Sequence, residues 1–198
     1  NVNAWLDKGI ALANLERYQD TLECFDRVIS LDENNVGAWH NKGYVLIKIA
    51  KNYDAVGIGK QYQNAIECYD RVISIDENNV DAWLYKGLGS KFLGKYEEAI
   101  ECFDRVISLV PNNLDALISK GETLFALEKY RDARYCFDEV LKSDESNQTA
   151  WEYKCFIASK LTSYDVVMEL CNKALTKTDS IKIRELVEDI TKYLNQSK

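Results

Sequence analysis

The sequence predicts an all-α solenoid of five stacked helix pairs and one terminal helix. Two recurring landmarks and a sparse supply of chain breakers carry that prediction. The string ECFDRVIS fills 23–30 and again 101–108, ECYDRVIS fills 67–74, and YCFDEVLK fills 135–142. A second landmark recurs at Trp5, Trp39, Trp83, Leu117 and Trp151, with three spacings of 34 residues and one of 44. The 198 residues include one proline and nine glycines against 46% hydrophobic residues, too little punctuation for a sandwich of many short strands.

Self-similarity at such a period means a repeat array, in which each unit buries its apolar face against its neighbours. The repeats are 2–35, 36–79, 80–113, 114–147 and 148–181, all within a single expected domain, 1–198. Repeats 2–35 and 80–113 are identical at 19 of 34 positions. In 80–113, Trp83, Lys86, Gly87, Ser90 and Leu93 fall on one helical face. A turn is expected at Gly94-Lys95, and a second helix aligns Ala99, Cys102, Phe103, Val106 and Ile107. Glu23 with Arg27, Glu67 with Arg71 and Glu101 with Arg105 are surface pairs one turn apart. Asn-Asn pairs at 34–35, 78–79 and 112–113 end repeats in loops, where Pro111 also belongs. The ten extra residues of repeat two lie within 50–61 and are expected to lengthen its hairpin at one rim, either as a tolerated insertion or as a partner-contacting edge.

Repeat five departs most. Cys155 replaces the glycine, Val167 the small residue and Cys171 the aromatic. Beyond it, Ile183, Leu186, Val187, Ile190, Tyr193 and Leu194 make an apolar stripe, so 182–198 is read as a solvating helix started by Asp179 or Ser180. Asn1-Val2 mimics Asn35-Val36, so the sequence opens at a repeat boundary, compatible with further repeats upstream in a longer protein.

These residues resemble the tetratricopeptide repeat (TPR) family. Its Trp place is kept at Trp5, Trp39, Trp83 and Trp151, and its Gly place at Gly9, Gly43, Gly87 and Gly121. The aromatic that opens the second helix is Tyr18, Tyr62, Tyr96, Tyr130 or Tyr164. The small residue is Ala65, Ala99 or Ala133 (Thr21 in repeat one), and the later aromatic is Phe25, Tyr69, Phe103 or Phe137. Lysine stands before the glycine place in every repeat, and the final proline survives only as Pro111. The resemblance implies a TPR-type right-handed superhelix with a C-terminal capping helix, and a groove lined by the first helix of each pair.

In that register the expected groove residues are Leu6, Ile10 and Asn14 in repeat one, and His40, Asn41, Tyr44 and Lys48 in repeat two. Repeat three gives Leu84, Tyr85, Leu88, Lys91 and Phe92. Repeats four and five give Ile118, Glu122, Phe125, Tyr153 and Phe156. The second helices are near copies while these places vary, as expected if packing fixes the former and a ligand selects the latter. Tyr and Phe are common interface anchors, so a peptide segment of another protein is the expected occupant. The family's carboxylate clamp is absent. Over repeats one to three its places hold Leu6, Ile10, Asn41, Asp81 and Tyr85, of which only Asn41 matches.

Other chemistry is disfavoured. Lys plus Arg total 25 against 32 Asp plus Glu, net −7, which opposes a nucleic-acid partner. No apolar run suits a membrane span. GIGK at 57–60 is no phosphate loop, because Asp54 stands at the earlier glycine place and Gln61 follows the lysine. No cofactor or metal is expected. The equivalent cysteines Cys24, Cys68, Cys102 and Cys136 sit a helix spacing apart, too far for disulfides or a shared ion, so reduced thiols and a cytoplasmic location are expected. His40 is read as an exposed groove or surface residue without a nucleophile at a recognisable offset. The Lys8, Lys42, Lys86, Lys120, Lys154 column is read as snorkelling stems, and Asp26, Asp70, Asp104 and Asp138 as a solvated acidic column. The sequence therefore predicts a non-catalytic interaction scaffold. The alternatives are a substrate-docking segment of a larger enzyme and self-association through the uncapped first repeat.

Overall fold

The computed structural model describes residues 1–52 and 57–196, which hold eleven α-helices and no strand. They pair as α1 (Val2–Asn14) with α2 (Tyr18–Leu31), α3 (Val36–Asn52) with α4 (Ile58–Ile75), and α5 (Val80–Phe92) with α6 (Tyr96–Leu109). Then follow α7 (Leu114–Ala126) with α8 (Tyr130–Ser143), α9 (Gln148–Leu161) with α10 (Tyr164–Leu175), and the terminal α11 (Ile181–Gln196). The architecture is the TPR-type all-α solenoid that the repeats predict. The chain divides into two compact units, Asn1–Val110 and Pro111–Lys198.

Local chemistry sets the helix ends. The second asparagine of each Asn-Asn pair is an N-cap: Asn79 Oδ1 accepts from the Ala82 amide at 3.0 Å and Asn113 from Ala116 at 2.9 Å. Asn35 and Asn147 do the same for α3 and α9. Each side-chain oxygen satisfies an amide the helix leaves open. The turn inside repeats one, three and four passes through one left-handed residue, Glu16, Gly94 or Glu128. Tryptophan ties the next repeat to the loop before it, as Trp39, Trp83 and Trp151 donate through Nε1 to the carbonyls of Glu33, Glu77 and Glu145.

One contact explains the glycine column. A Cβ at Gly9, Gly43, Gly87 or Gly121 would lie 2.6–2.9 Å from the ring of Phe25, Tyr69, Phe103 or Phe137, respectively. The missing side chain is the space the ring fills, and all four rings are fully buried. Removing a ring of that size from water stabilises by about 1.5–3 kcal/mol. Repeat five changes both partners at once: Cys155 and Cys171, both fully buried, hydrogen-bond to each other. That bond and burial hold the Cys155 thiol well above its usual range.

Three expectations change. The extra residues of repeat two do not simply lengthen a loop. Residues 49–52 extend α3 and 58–61 extend α4, giving helices of 17 and 18 residues where repeats one and three have 13 and 14. Residues 53–56 of that insertion lie outside the described residues. The lysine and aspartate columns are also not independent. Lys42 pairs with Asp26 at 2.5 Å, Lys86 with Asp70 at 2.6 Å and Lys154 with Asp138 at 2.6 Å. Each of these ammonium groups also lies over the tryptophan three residues before it. The stems snorkel as expected, but their heads clamp the second helix of the preceding repeat. On α11, Ile183 and Ile190 are buried against Val167, Cys171 and Ala174, while Tyr193 of the predicted stripe is exposed.

Candidate interaction surface

In the N-terminal unit the first helices α1, α3 and α5 lie side by side. Their free face carries most of the predicted groove residues. Ile10, Tyr44 and Phe92 are exposed at 40%, 36% and 45%. Asn14 is exposed, and Leu6, Asn41, Lys48, Leu88 and Lys91 are half-buried. Leu84 is a correction: it is 8% exposed and belongs to the interior.

The aromatic residues of this face form two groups, one around Tyr85 and one at Phe92. Tyr85 stacks on Tyr69 of α4, centroids 5.6 Å apart and planes 14° from parallel. His40 stands edge-on to both rings at 5.7 Å, and Tyr44 edge-on to Tyr85 at 5.9 Å. Phe92 stacks on Tyr62 at 5.1 Å. His40 is thus half-buried in a ring cluster rather than exposed. Burial lowers its pKa below the usual histidine value, against the pull of the Asp81 carboxylate. The fully buried Tyr69 hydroxyl has no hydrogen-bond partner among the described residues, and burial pushes its pKa up.

Two lysines place positive charge on this apolar surface. Lys48 Nζ lies 5.3 Å from the Tyr44 ring centroid and hydrogen-bonds its hydroxyl, which raises the Lys48 pKa. Lys51 Nζ lies 4.8 Å from the Phe92 ring. Both arrangements are cation–π geometries. Asn41, the one residue matching the carboxylate clamp, already donates to the Gly37 carbonyl of its own helix.

In the C-terminal unit α7 and α9 are neighbours, and the predicted residues there are also partly packed. Tyr153 stacks on Phe137 at 4.8 Å and meets Phe125 edge-on at 5.2 Å. Ile118, Glu122, Phe125 and Phe156 are half-buried. Glu152 of α9 is 5% exposed and takes hydrogen bonds from Gln148, Ser180 and Lys182 at 2.7–2.8 Å. It fastens the start of α11, where Ser180 Oγ accepts from the Ile183 amide at 3.4 Å. Sequence reading missed this role, and no local spacing signals it, because the partners lie 28 and 30 residues away.

All six cysteines are buried, and none is in a disulfide. Burial pushes the Cys68 thiol up to about 12 and the Cys102 thiol to about 11, so both are protonated at neutral pH. Among the described residues no three His, Cys, Asp or Glu side chains gather to hold a metal, and no helix is long and apolar enough to cross a membrane.

A family model described as tetratricopeptide repeat matches residues 2–35, and one described as anaphase-promoting complex, cyclosome, subunit 3 matches residues 59–140. No curated protein sequence matches the chain. Among solved structures, the fold is similar to MamA, with TM-score 0.80 and 17% identity over 89% of this chain and 91% of that one. MamA 41-end from Desulfovibrio magneticus RS-1 gives 0.78 and 14%, over 88% and 93%. YrrB, described as a TPR protein with an unusual peptide-binding site, gives 0.76 and 16%, over 95% and 92%. With the glycine–aromatic contact repeated four times, the tryptophan column and these matches in view, the chain has the fold of a tetratricopeptide-repeat solenoid, and its residues 2–35 match that family's model.

Proposed function

We propose that this chain is a non-catalytic scaffold that holds a peptide segment of another protein against the free face of α1, α3 and α5. The observation that carries this reading is the exposed set Ile10, Tyr44 and Phe92, with Lys48 and Lys51 over the two aromatic rings. Such a face offers rigid apolar contact and cations that a partner's carboxylates or carbonyls can meet. YrrB, whose described property is a peptide-binding site, shares the fold and so supports a peptide as occupant.

The test substitutes Tyr44→Ala and Phe92→Ala together and compares affinity capture from a cell extract with that of the wild type. These side chains are exposed enough to remove while the fold persists. Tyr85 is a poorer choice, because it is itself half-buried and meets three rings, those of His40, Tyr44 and Tyr69, so its loss disturbs more packing. The expected outcome is loss of captured partners at an unchanged circular dichroism spectrum. Identical capture by both proteins rejects this face as the binding surface.

A further inference from the structure

The C-terminal unit carries an opening of its own. Two adjoining hollows of about 390 and 250 Å³ lie where α8, the end of α9 and the start of α10 meet. They share Arg134, Asp138 and Leu161 in their walls. The floor is apolar: Ile157 and Ala158 beneath, Leu161 and Val166 exposed at 46% and 49%.

Repeat register shows why the opening exists. Arg134 stands where the other repeats have Leu22, Ile66 and Ile100. Ile66 is 4% exposed and packs on Gly89 of the next repeat, whereas the Arg134 side chain is 62% exposed, and Leu161 and Val166 near it stay exposed beside a fully buried Ile157. The connection into α10 also differs. It runs through extended Thr162 and Ser163 rather than a left-handed residue, which leaves Val166 in solvent.

The same substitutions reverse the local charge. Where α6 presents Glu97 and Glu101, α8 presents Arg131 and Tyr135, and Tyr135 is 65% exposed. Arg131, Arg134 and Lys154 surround a single lining carboxylate, Asp138, which already meets Lys154 at 2.6 Å and Arg134 at 3.6 Å. A cationic rim over an apolar floor, on a chain of net charge −7, is complementary to an anionic amphipathic ligand.

We propose that this cleft is a second docking site, separate from the α1–α3–α5 face, for an acidic peptide segment of a partner protein. A leucine-, isoleucine- or phenylalanine-sized side chain enters over Leu161 and Val166, and neighbouring Asp or Glu residues meet Arg131 and Arg134. Arginine suits this role because its planar fork holds a carboxylate in two hydrogen bonds.

The experiment selects a displayed library of short random peptides on the whole chain, then ranks the clones on three variants. Arg131→Glu with Arg134→Glu reverses the rim, Val166→Asp spoils the floor, and Tyr44→Ala with Phe92→Ala alters only the other face. The proposal expects clones in which acidic residues flank a large apolar one. These clones weaken by about tenfold or more on both cleft variants and keep their affinity on the Tyr44, Phe92 variant. Amide chemical-shift changes on adding such a peptide to the wild type should centre on α8, the end of α9 and α10. Clones that all ignore the cleft variants overturn the proposal, as do cleft-dependent clones that are basic or uncharged. Loss confined to the Tyr44, Phe92 variant also overturns it, while supporting the other face. Unchanged circular dichroism of each variant ensures that a loss reports on binding.

Discussion

Repeats three and five solve the same packing problem with different residues. In repeat three the absent side chain of Gly87 leaves room for the Phe103 ring. In repeat five the two places hold Cys155 and Cys171, two medium side chains in contact. Neither place is fixed by itself; what is kept is the volume they share, as expected of interiors packed to crystal-like density. The fifth pair then meets α11, and its sequence is released from the pattern that stacking on a further repeat would impose.

The sharpest test of this comparison converts one solution into the other. Phe103→Ala should cost about 3–5 kcal/mol in denaturant unfolding, because the ring leaves a cavity facing a glycine. Cys171→Phe alone should cost about 1–3 kcal/mol by overfilling the space against Cys155. Adding Cys155→Gly should recover most of that loss, leaving about 1 kcal/mol for glycine inside a helix. A double variant no more stable than Cys171→Phe would show that volume is not what the two places share.

A smaller effect belongs to the C-terminal anchor. Burial alone would raise the Glu152 carboxyl, but hydrogen bonds from Lys182, Gln148 and Ser180 outweigh it and set its pKa below the ordinary carboxylate value. A depressed folded pKa means that the folded state binds fewer protons, so stability rises with pH in this range. The contribution is complete above the unfolded value near ~4.3 and is lost as pH falls through the folded one. Glu152→Gln should remove that pH dependence and cost about 1–3 kcal/mol at neutral pH. Amide exchange in α11 should quicken before that in α7; uniform quickening across the unit would argue against a local anchor.

The smallest effect is expected at the lysine–aspartate clamps. Lys86 and Asp70 are 23% and 49% exposed, so solvent screens much of their attraction. Asp70→Asn should cost at most about 1 kcal/mol, and high salt should narrow the gap to the wild type. A cost as large as that of Phe103→Ala would mean that the clamp, rather than the ring, aligns neighbouring repeats.

Much of this fold was legible because a repeat states its rules several times. The glycine and aromatic columns were visible as a register, but that each glycine makes room for the ring of its own repeat came from the packing; the Asn-Asn pairs marked the loops that end repeats. Of the expected groove register, Tyr44 and Phe92 are exposed and Leu84 is buried, since a helical face is broad and only packing decides which edge of it is covered. His40 was misjudged for the same reason: Tyr69 and Tyr85 come from other helices to enclose it. The clamps had a signal that was not used, a constant offset of 16 residues from Asp26 to Lys42, Asp70 to Lys86 and Asp138 to Lys154.

The amino-acid order alone settled the period, the helix pairs and the solenoid fold class, because local propensity, caps and apolar spacing all act within a few residues of chain. The tertiary arrangement decided which tyrosines remain at the surface, that Glu152 fastens the last helix, and that Arg134 lines a cleft where the other repeats have leucine or isoleucine. Those outcomes depend on side chains brought together from separate helices, and the balance between filled and unfilled space there is a property of the packed molecule.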